Sequence, residues 1–295
     1  MSGIREEIRN YFREGDALSR LILVNLGMYL LYYLLKIVAA LFNIHSLPPL
    51  FLEWTSLPSN LSVLITRPWT LVTYMFLHIG FRHIFFNLLI LYFTGKIFIE
   101  YMGGRKLLST YLLGGLAGGA LYVLFYNLFP GFENAVAGST NKGASAGVMA
   151  VLIGAATYSP RYPVKLFFVI EIEFRWIAIA LLVLDFINLG DQENMGGMIS
   201  HFGGAALGYL VVSQYKKGND ITEGFSKFMD NIANWFKPKP KIRKVYSKAR
   251  SGPGFHERKA QNQQRMNDIL DKINRSGYDS LTKDEKDYLF KIGKD

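Results

Sequence analysis

The chain has 295 residues, of which 50% are hydrophobic and 15% aromatic, while only 19% are charged. Soluble proteins carry about a quarter charged residues, and residues 216–295 hold 19 Lys and Arg against 11 Asp and Glu, which is +8 of the net charge of +10. This composition excludes a uniform soluble domain and argues against a nucleic-acid-binding protein. The absence of cysteine excludes disulfides, zinc-thiolate sites and thiol nucleophiles.

Six apolar stretches predict membrane-spanning helices. The first, residues 21–42, would be about 33 Å long as a helix, enough to cross a bilayer core of about 30 Å. The others are predicted at residues 83–99, 107–129, 143–158, 176–189 and 198–212. The last three are short, about 21–24 Å, so we expect some helices to begin below the membrane surface beside a water-filled cavity.

The distribution of basic residues predicts the orientation of these spans. Lys and Arg precede the first span and follow the last, whereas the loops on the opposite side contain only Arg67, Arg82 and Lys142. The positive-inside rule therefore predicts that both termini are cytoplasmic, and that the protein lies in the inner membrane if it is bacterial. Residues 1–20 lack a small-residue cleavage pattern, so the first span is interpreted as retained.

Polar side chains occur near the start of the second, fourth and sixth predicted helices. They are His78, His83 and Asn87 in the second, Ser145 in the fourth and His201 in the sixth. With both termini cytoplasmic, these helices all run inward from the outer face, so the polar groups are expected at one depth. Such side chains are avoided in lipid unless they serve a purpose.

These residue types together suit nucleophilic catalysis. An imidazole hydrogen-bonded to a hydroxyl makes that hydroxyl a nucleophile, so we expect Ser145 and His201 to meet. His83 and Asn87, four residues apart on one helical face, could donate hydrogen bonds to an oxyanion. A lone serine or histidine at such a place is more often a packing residue, and only the combination favours catalysis.

Small residues predict where the helices approach each other. The spacings Gly143-xxx-Gly147 and Gly204-xxx-Gly208 each put two glycines on one face of the fourth and sixth helices. Glycines at this spacing allow close contact between helix backbones in lipid. We therefore expect these four glycines to pack the helices that carry Ser145 and His201.

The combined pattern resembles the rhomboid intramembrane serine proteases, over about residues 18–215. The matching residues are His78, His83 and Asn87, then Gly143, Ala144, Ser145 and Ala146, and finally His201, Gly204 and Gly208. The resemblance implies an all-α integral membrane protein built as a six-transmembrane-helix bundle. It also implies a nucleophile, Ser145, and a general base, His201, in a dyad without a third acid, with His83, Asn87 and the Ser145 N–H as the oxyanion site.

Three positions depart from the pattern or invite another interpretation. Many relatives have Trp-Arg where this chain has Trp69 and Thr70, which puts the arginine contacts of the first outer loop in doubt. Met149 replaces an aromatic ring that stacks on the catalytic histidine in many relatives. Asp185 in the fifth span suggests a triad, but a hydrogen-bonded structural Asp is the favoured interpretation.

The sequence thus predicts four regions. They are a cytoplasmic segment (1–20), the membrane domain (21–215), an amphipathic helix with a basic linker (216–254) and a small helical cytoplasmic module (255–295). The helix predicted at about 221–236 has an aromatic face suited to the inner leaflet. The basic run 237–250 suits anionic lipid headgroups or a solvated linker equally. Thr282 and Glu285 predict a capping box in the module, which we interpret as a binding appendage for a cytoplasmic protein partner.

The function expected from these features is an intramembrane serine endopeptidase that cleaves transmembrane-anchored proteins near the outer face. The chemistry requires no metal and no organic cofactor. One alternative is a non-catalytic rhomboid-like protein that binds membrane proteins, for instance in quality control. Another is a six-helix transporter, which is disfavoured because no inverted repeats are detectable and no carboxylates lie near the midplane.

Overall fold

The computed structural model describes residues 17–166, 169–189, 194–235 and 253–292, which are mostly helical. The chain divides into two compact units, Met1–Phe236 and Lys237–Asp295. The predicted N-terminal segment up to residue 16 and the basic run 237–250 lie outside the described residues.

Helices dominate the first unit. In chain order they are α1 (Ala17–Phe42), α2 (Leu47–Thr55), α3 (Leu61–Thr66), α4 (Thr70–Thr73), α5 (Phe81–Met102), α6 (Gly104–Leu128), α7 (Ser145–Tyr158), α8 (Phe174–Asn188), α9 (Met195–Lys216) and α10 (Glu223–Trp235). Among the described residues, α1, α5, α6 and α9 are long and apolar enough to cross a membrane. Helices α7 and α8 have 14 and 15 residues, which is shorter than the 18 residues required of a candidate span. The count of six spans therefore stays a prediction.

The boundaries of the long helices differ from the predicted ones by a few residues. A single glycine separates α5 from α6, because Gly103 has a φ of 81°, a conformation that favours glycine. The apolar pattern of the sequence alone predicts a gap of seven residues between these two helices, at 100–106. The helix α9 extends beyond the predicted 198–212 at both ends, because residues 195–197 and the more polar residues 213–216 are also helical.

The short helix α7 occupies the centre of the unit. Its residues 146–156 are all buried, as expected for a helix that is apolar on every side. On one side it packs against α6 through glycines. A Cβ atom on Gly114 would be 2.2 Å from the Ala150 Cβ, and one on Gly147 would be 2.7 Å from the Tyr111 carbonyl oxygen. Only glycine permits such an approach, so these residues hold α7 tightly.

Two short antiparallel ladders interrupt the helical architecture and were not predicted. Strand β1 (Leu57–Pro58) pairs with β2 (Thr140–Asn141), and β3 (Pro163–Leu166) pairs with β4 (Ile170–Glu173) between α7 and α8. Ladders of two to four residues are too short to give a periodic sequence signal. The first ladder matters for the site, because it fixes the chain just before α7 to the connection between α1 and α5.

The connection between α1 and α5 is held by an aromatic and ionic cluster. The rings of Trp54 and Trp69 stack with centroids 5.5 Å apart, and the Trp69 indole N–H donates to the Trp54 carbonyl at 2.9 Å. Arg67 packs over the Trp54 ring and pairs with Glu53 at 2.6 Å. An arginine therefore does contact this loop, from a position two residues before Trp69.

The second unit contains a helical hairpin. Helix α11 (Pro253–Ser276) and helix α12 (Lys283–Ile292) are joined by a turn of 3₁₀ helix, Tyr278–Ser280. The predicted capping box is present, with the Thr282 N–H donating to Glu285 at 2.7 Å and the Glu285 N–H donating to the Thr282 hydroxyl at 3.4 Å. Ile269 of α11 and Leu281, just before α12, are both buried.

Candidate active site

A cavity of about 590 Å³ in the first unit contains the polar side chains that the sequence singled out. It is bordered by α5, the segment before α7, α7 itself, α8 and α9. Its polar lining includes His83, Asn87, Lys142, Ser145, Asp185 and His201. A water molecule occupies about 30 Å³ in the liquid, so this cavity has room for several waters as well as a peptide segment.

Ser145 is half-buried and is the first residue of α7. The chain reaches it through Gly143, which has a φ of 135° and donates its N–H to the Tyr74 carbonyl at 2.9 Å. The first N–H groups of a helix lack intrahelical partners, and the helix dipole adds partial positive charge at this end. The surroundings of the Ser145 hydroxyl therefore favour a developing negative charge.

The expected packing face of Gly143 and Gly147 does not form, because Gly143 precedes the helix. A Cβ atom on Gly143 would be 2.8 Å from two atoms of the His83 ring and 3.7 Å from the Ser145 Oγ. The absence of a side chain at Gly143 therefore makes room for the His83 imidazole. Both the imidazole and the serine hydroxyl flank this one glycine.

The glycines of α9 contact α7 directly. A Cβ atom would be 2.0 Å from the Ala146 carbonyl oxygen if placed on Gly204, and 2.1 Å from the Ala150 carbonyl oxygen if placed on Gly208. Ala146 follows Ser145 in the chain, and Gly204 lies about one helical turn after His201. The backbones that carry the serine and the histidine are thus in contact at the level of the cavity.

His83 and Asn87 both line the cavity from α5. The side-chain amide of Asn87 donates to the His83 carbonyl at 2.8 Å, which fixes the orientation of the amide. An asparagine amide has two N–H donors, so one remains to bind another group. The position of this pair is compatible with the predicted donation to an oxyanion.

His78 has a different location from the other polar residues of this motif. Its side chain is fully buried, and its Nε2 accepts a long hydrogen bond of 3.4 Å from the Ala144 N–H. Its ring meets the edge of the His83 ring, with centroids 4.9 Å apart. His78 therefore supports the backbone just before Ser145, whereas His83 lines the cavity.

The imidazole of His201 is bound by Asp185. The Asp185 Oδ2 lies 2.8 Å from the His201 Nδ1, and both side chains are less than a fifth exposed. The sequence analysis raised a triad with Asp185 but favoured a structural role, and did not identify His201 as the hydrogen-bond partner of that structural Asp. Among the described residues, no hydrogen bond joins the Ser145 hydroxyl to the His201 ring. Catalytic hydrogen bonds are often long in structures without substrate and tighten when the substrate binds.

A second buried contact joins the two halves of the site. The Asn141 amide donates to the Ser200 hydroxyl at 2.6 Å, and that hydroxyl donates to the Gly196 carbonyl at 2.9 Å. Asn141 ends the strand before α7, and Ser200 directly precedes His201. The sequence analysis missed this pair, since a lone Asn and a lone Ser carry no motif.

Lys142 and Met149 complete the lining near Ser145. The ammonium group of Lys142 donates to the Thr140 hydroxyl at 3.1 Å, and burial lowers the pKa of Lys142 from its ordinary value. Met149 is buried one turn after Ser145 and lines the same cavity as His201. Within the described ranges, no three His, Asp or Glu side chains are grouped so as to hold a metal ion.

The fold and cavity define a polytopic helical membrane protein with a polar site between its helices. The model of the Rhomboid domain matches residues 66–216, about half of the chain. The chain therefore belongs to the rhomboid family. A second model, described as a family of unknown function (DUF6576), matches residues 254–293.

One curated relative is the RHOMBOID-like protein 12, mitochondrial, of Arabidopsis thaliana. It is 29% identical over 158 residues, which are 50% of this chain and 47% of the relative. The chain thus matches this relative over about half the length of each protein.

Proposed function

We propose that the protein is an intramembrane serine endopeptidase, with Ser145 as its nucleophile and His201 as its general base. One observation carries this proposal: Ser145, at a helix N-terminus, and His201 line the same cavity on helices whose backbones touch. Membership of the rhomboid family agrees with it.

In the first half of the proposed reaction, the Ser145 Oγ attacks the carbonyl carbon of the scissile peptide bond. His201 accepts the hydroxyl proton through a ring nitrogen, which leaves a tetrahedral intermediate and an imidazolium. The negative oxygen receives hydrogen bonds from the Ser145 N–H, His83 and Asn87. The imidazolium then gives its proton to the leaving amine as the peptide bond breaks.

In the second half, water releases the acyl group from Ser145. His201 takes a proton from that water, the resulting tetrahedral intermediate collapses, and the serine hydroxyl is restored. The size of the cavity supports this step, because it can hold water beside the acylated serine.

The substrate class follows from the membrane setting. A transmembrane helix of another protein would reach the cavity laterally and unwind near its outer end. The Lys and Arg residues that precede the first span and follow the last, compared with the few in the opposite loops, support cytoplasmic termini and hence a site toward the outer face. The C-terminal module would serve as a separate docking site for a cytoplasmic partner.

The test is covalent labelling of the full chain in proteoliposomes with a fluorophosphonate, which reacts with activated serines. Wild type and Ser213→Ala, a serine near the other end of α9, should be labelled equally, whereas Ser145→Ala and His201→Ala should not be labelled. Cleavage of a transmembrane peptide should fall by about a million-fold in Ser145→Ala, as for the nucleophile of soluble serine proteases.

The second candidate function is non-catalytic binding of membrane proteins. It is favoured by the lack of a hydrogen bond between Ser145 and His201 among the described residues. In that case the folded wild-type protein would show no labelling above Ser145→Ala in any lipid mixture, yet would still retain transmembrane peptides in proteoliposomes.

A further inference from the structure

The carboxylate of Asp185 has an unusual place for an acidic group. On α8 it stands among the exposed apolar side chains of Val183, Leu184, Phe186 and Ile187. Its own side chain is 16% exposed and turns into the cavity toward His201. An ionisable group in such a helix is retained only where it has a partner or a role.

The contact with Asp185 determines which nitrogen of His201 carries the proton. An ionised carboxylate can only accept hydrogen bonds, so the His201 Nδ1, 2.8 Å away, must be the donor. In the neutral imidazole the other nitrogen, Nε2, is then unprotonated. This is the form that can take a proton from a serine hydroxyl.

We propose that Asp185 is a positioning residue for His201. It holds the ring in the tautomer with Nε2 free, limits its rotation, and stabilises the imidazolium that forms when His201 accepts the proton of Ser145. This inference rests on the proposed function and adds a third, positioning residue to the expected dyad of Ser145 and His201. The proton itself stays on His201, and Asp185 remains ionised throughout.

A purely structural role makes a different prediction. Helix α8 buries only Phe174 and Ala178, both near its start, so the Asp185–His201 contact joins the far end of α8 to α9. If Asp185 only held α8 against α9, its removal would weaken the packing of α8 and make the cavity more accessible. The rate of labelling would then rise or stay constant.

Three variants of the full chain in proteoliposomes separate these roles. Asp185→Asn keeps the size of the side chain but offers an amide that can donate to Nδ1, which favours the wrong tautomer. Its rate of fluorophosphonate labelling should fall at least about 100-fold, and soluble serine proteases lose about 10⁴-fold in kcat in the analogous change. Asp185→Glu should recover part of the rate. Glu173→Gln, which removes a carboxylate at the start of α8, should label like the wild type.

A spectroscopic measurement tests the tautomer without relying on activity. In protein labelled with ¹⁵N-histidine, the His201 resonances, assigned by their loss in His201→Ala, should show a protonated Nδ1 in the wild type. They should show a protonated Nε2 in Asp185→Asn.

The outcomes distinguish the two proposals. If wild type is labelled and Asp185→Asn is labelled at the same rate, the positioning role is overturned while the protease assignment stands. If wild type is not labelled, the protease assignment fails, and an unchanged His201 tautomer in Asp185→Asn would overturn the positioning of the ring as well.

Discussion

Gly204 lies so close to Ala146 that a Cβ atom on the glycine would be 2.0 Å from the alanine carbonyl oxygen. Ala146 follows Ser145, and Gly204 lies about one turn after His201. This backbone contact therefore contributes to the distance between the serine and the histidine, together with the contact of Gly208 with Ala150. A displacement of about 1 Å at a reacting centre can cost a factor of about 100 in rate. Packing and the proposed chemistry are thus coupled at Gly204.

Gly204→Ala should lower both stability and labelling. The added Cβ would meet backbone atoms, which cannot rotate away, so α7 and α9 must separate. We expect a loss of about 1–3 kcal/mol in the free energy of unfolding, the usual effect of overpacking. Denaturation in mixed micelles measures it. Gly27→Ala in α1 is the control, since no atom lies within 4 Å of its Cβ position. Equal stability of the two variants would contradict the contact.

The bond between Asn141 and Ser200 should contribute to both stability and the geometry of the site. Both residues are buried, so Asn141→Ala leaves the Ser200 oxygen without the donor that it accepts from, at a cost of about 1–3 kcal/mol. Asn141→Ala, Ser200→Ala and the double variant form a double-mutant cycle. We expect a coupling energy of about 1 kcal/mol in unfolding measurements. Additive effects would mean that the two side chains do not interact.

Asn87→Ala should impair catalysis with little change in substrate affinity. Under the proposed function its free N–H binds the oxyanion, which exists only after Ser145 has attacked. Loss of such a donor costs about 10²–10³ in kcat. Steady-state cleavage of a transmembrane peptide in proteoliposomes separates kcat from KM. Thr94→Ala, further along α5, is the control. A rise in KM at constant kcat would instead assign Asn87 to substrate binding.

Much of the architecture was predictable because lipid imposes a strong rule on sequence. Long apolar runs marked α1 and α6, and the shared depth of Ser145 and His201 predicted that they would line one cavity. The strands β1 and β2 were not predictable, because ladders of two residues leave no periodic pattern.

The sequence suggests a triad with Asp185 but favours a structural role for this residue, for a different reason. An apolar helix with one Asp gives no indication of which neighbour the carboxylate faces, since that depends on how α8 is rotated in the bundle. Asn141 and Ser200 present the same difficulty, because their pairing follows from the position of β2 beside α9. Gly143 was assigned to helix packing because its spacing to Gly147 suits a helix, whereas the helix begins at Ser145.

The stability of the start of α12 should decrease at acidic pH. The backbone N–H of Thr282 and the nearby ammonium group of Lys272 hold the pKa of Glu285 below its ordinary value of 4.5. A lowered pKa in the folded state means that the stabilisation is complete above pH 4.5 and is lost as pH falls through the lowered value. Hydrogen-exchange protection factors of α12 in the full chain should therefore drop in that range.

Glu285→Gln is the matching variant for this experiment, because the amide can still cap Thr282 but does not titrate. Its protection factors should be independent of pH below 4.5, while Asp284→Asn should behave like the wild type. A wild-type profile that is flat below pH 4.5 would exclude a contribution of the Glu285 charge.

Gly143→Ala should reduce labelling of Ser145 more than any change at the other glycines of the same connection. The φ of 135° is strained for alanine, at about 1–3 kcal/mol, and the new methyl group would be 2.8 Å from the His83 ring. The His83 ring and the Ser145 hydroxyl flank this residue. A movement of the ring away from the new methyl group displaces His83, and a movement of the backbone displaces Ser145. The unfolding temperature measures the effect of the strain on stability, and fluorophosphonate labelling in proteoliposomes measures the displacement of the site. Gly138→Ala is the control, since nothing lies within 4 Å of its Cβ position. Labelling of Gly143→Ala at the wild-type rate would mean that the His83 ring can move without consequence, and the oxyanion role of His83 would then be lost.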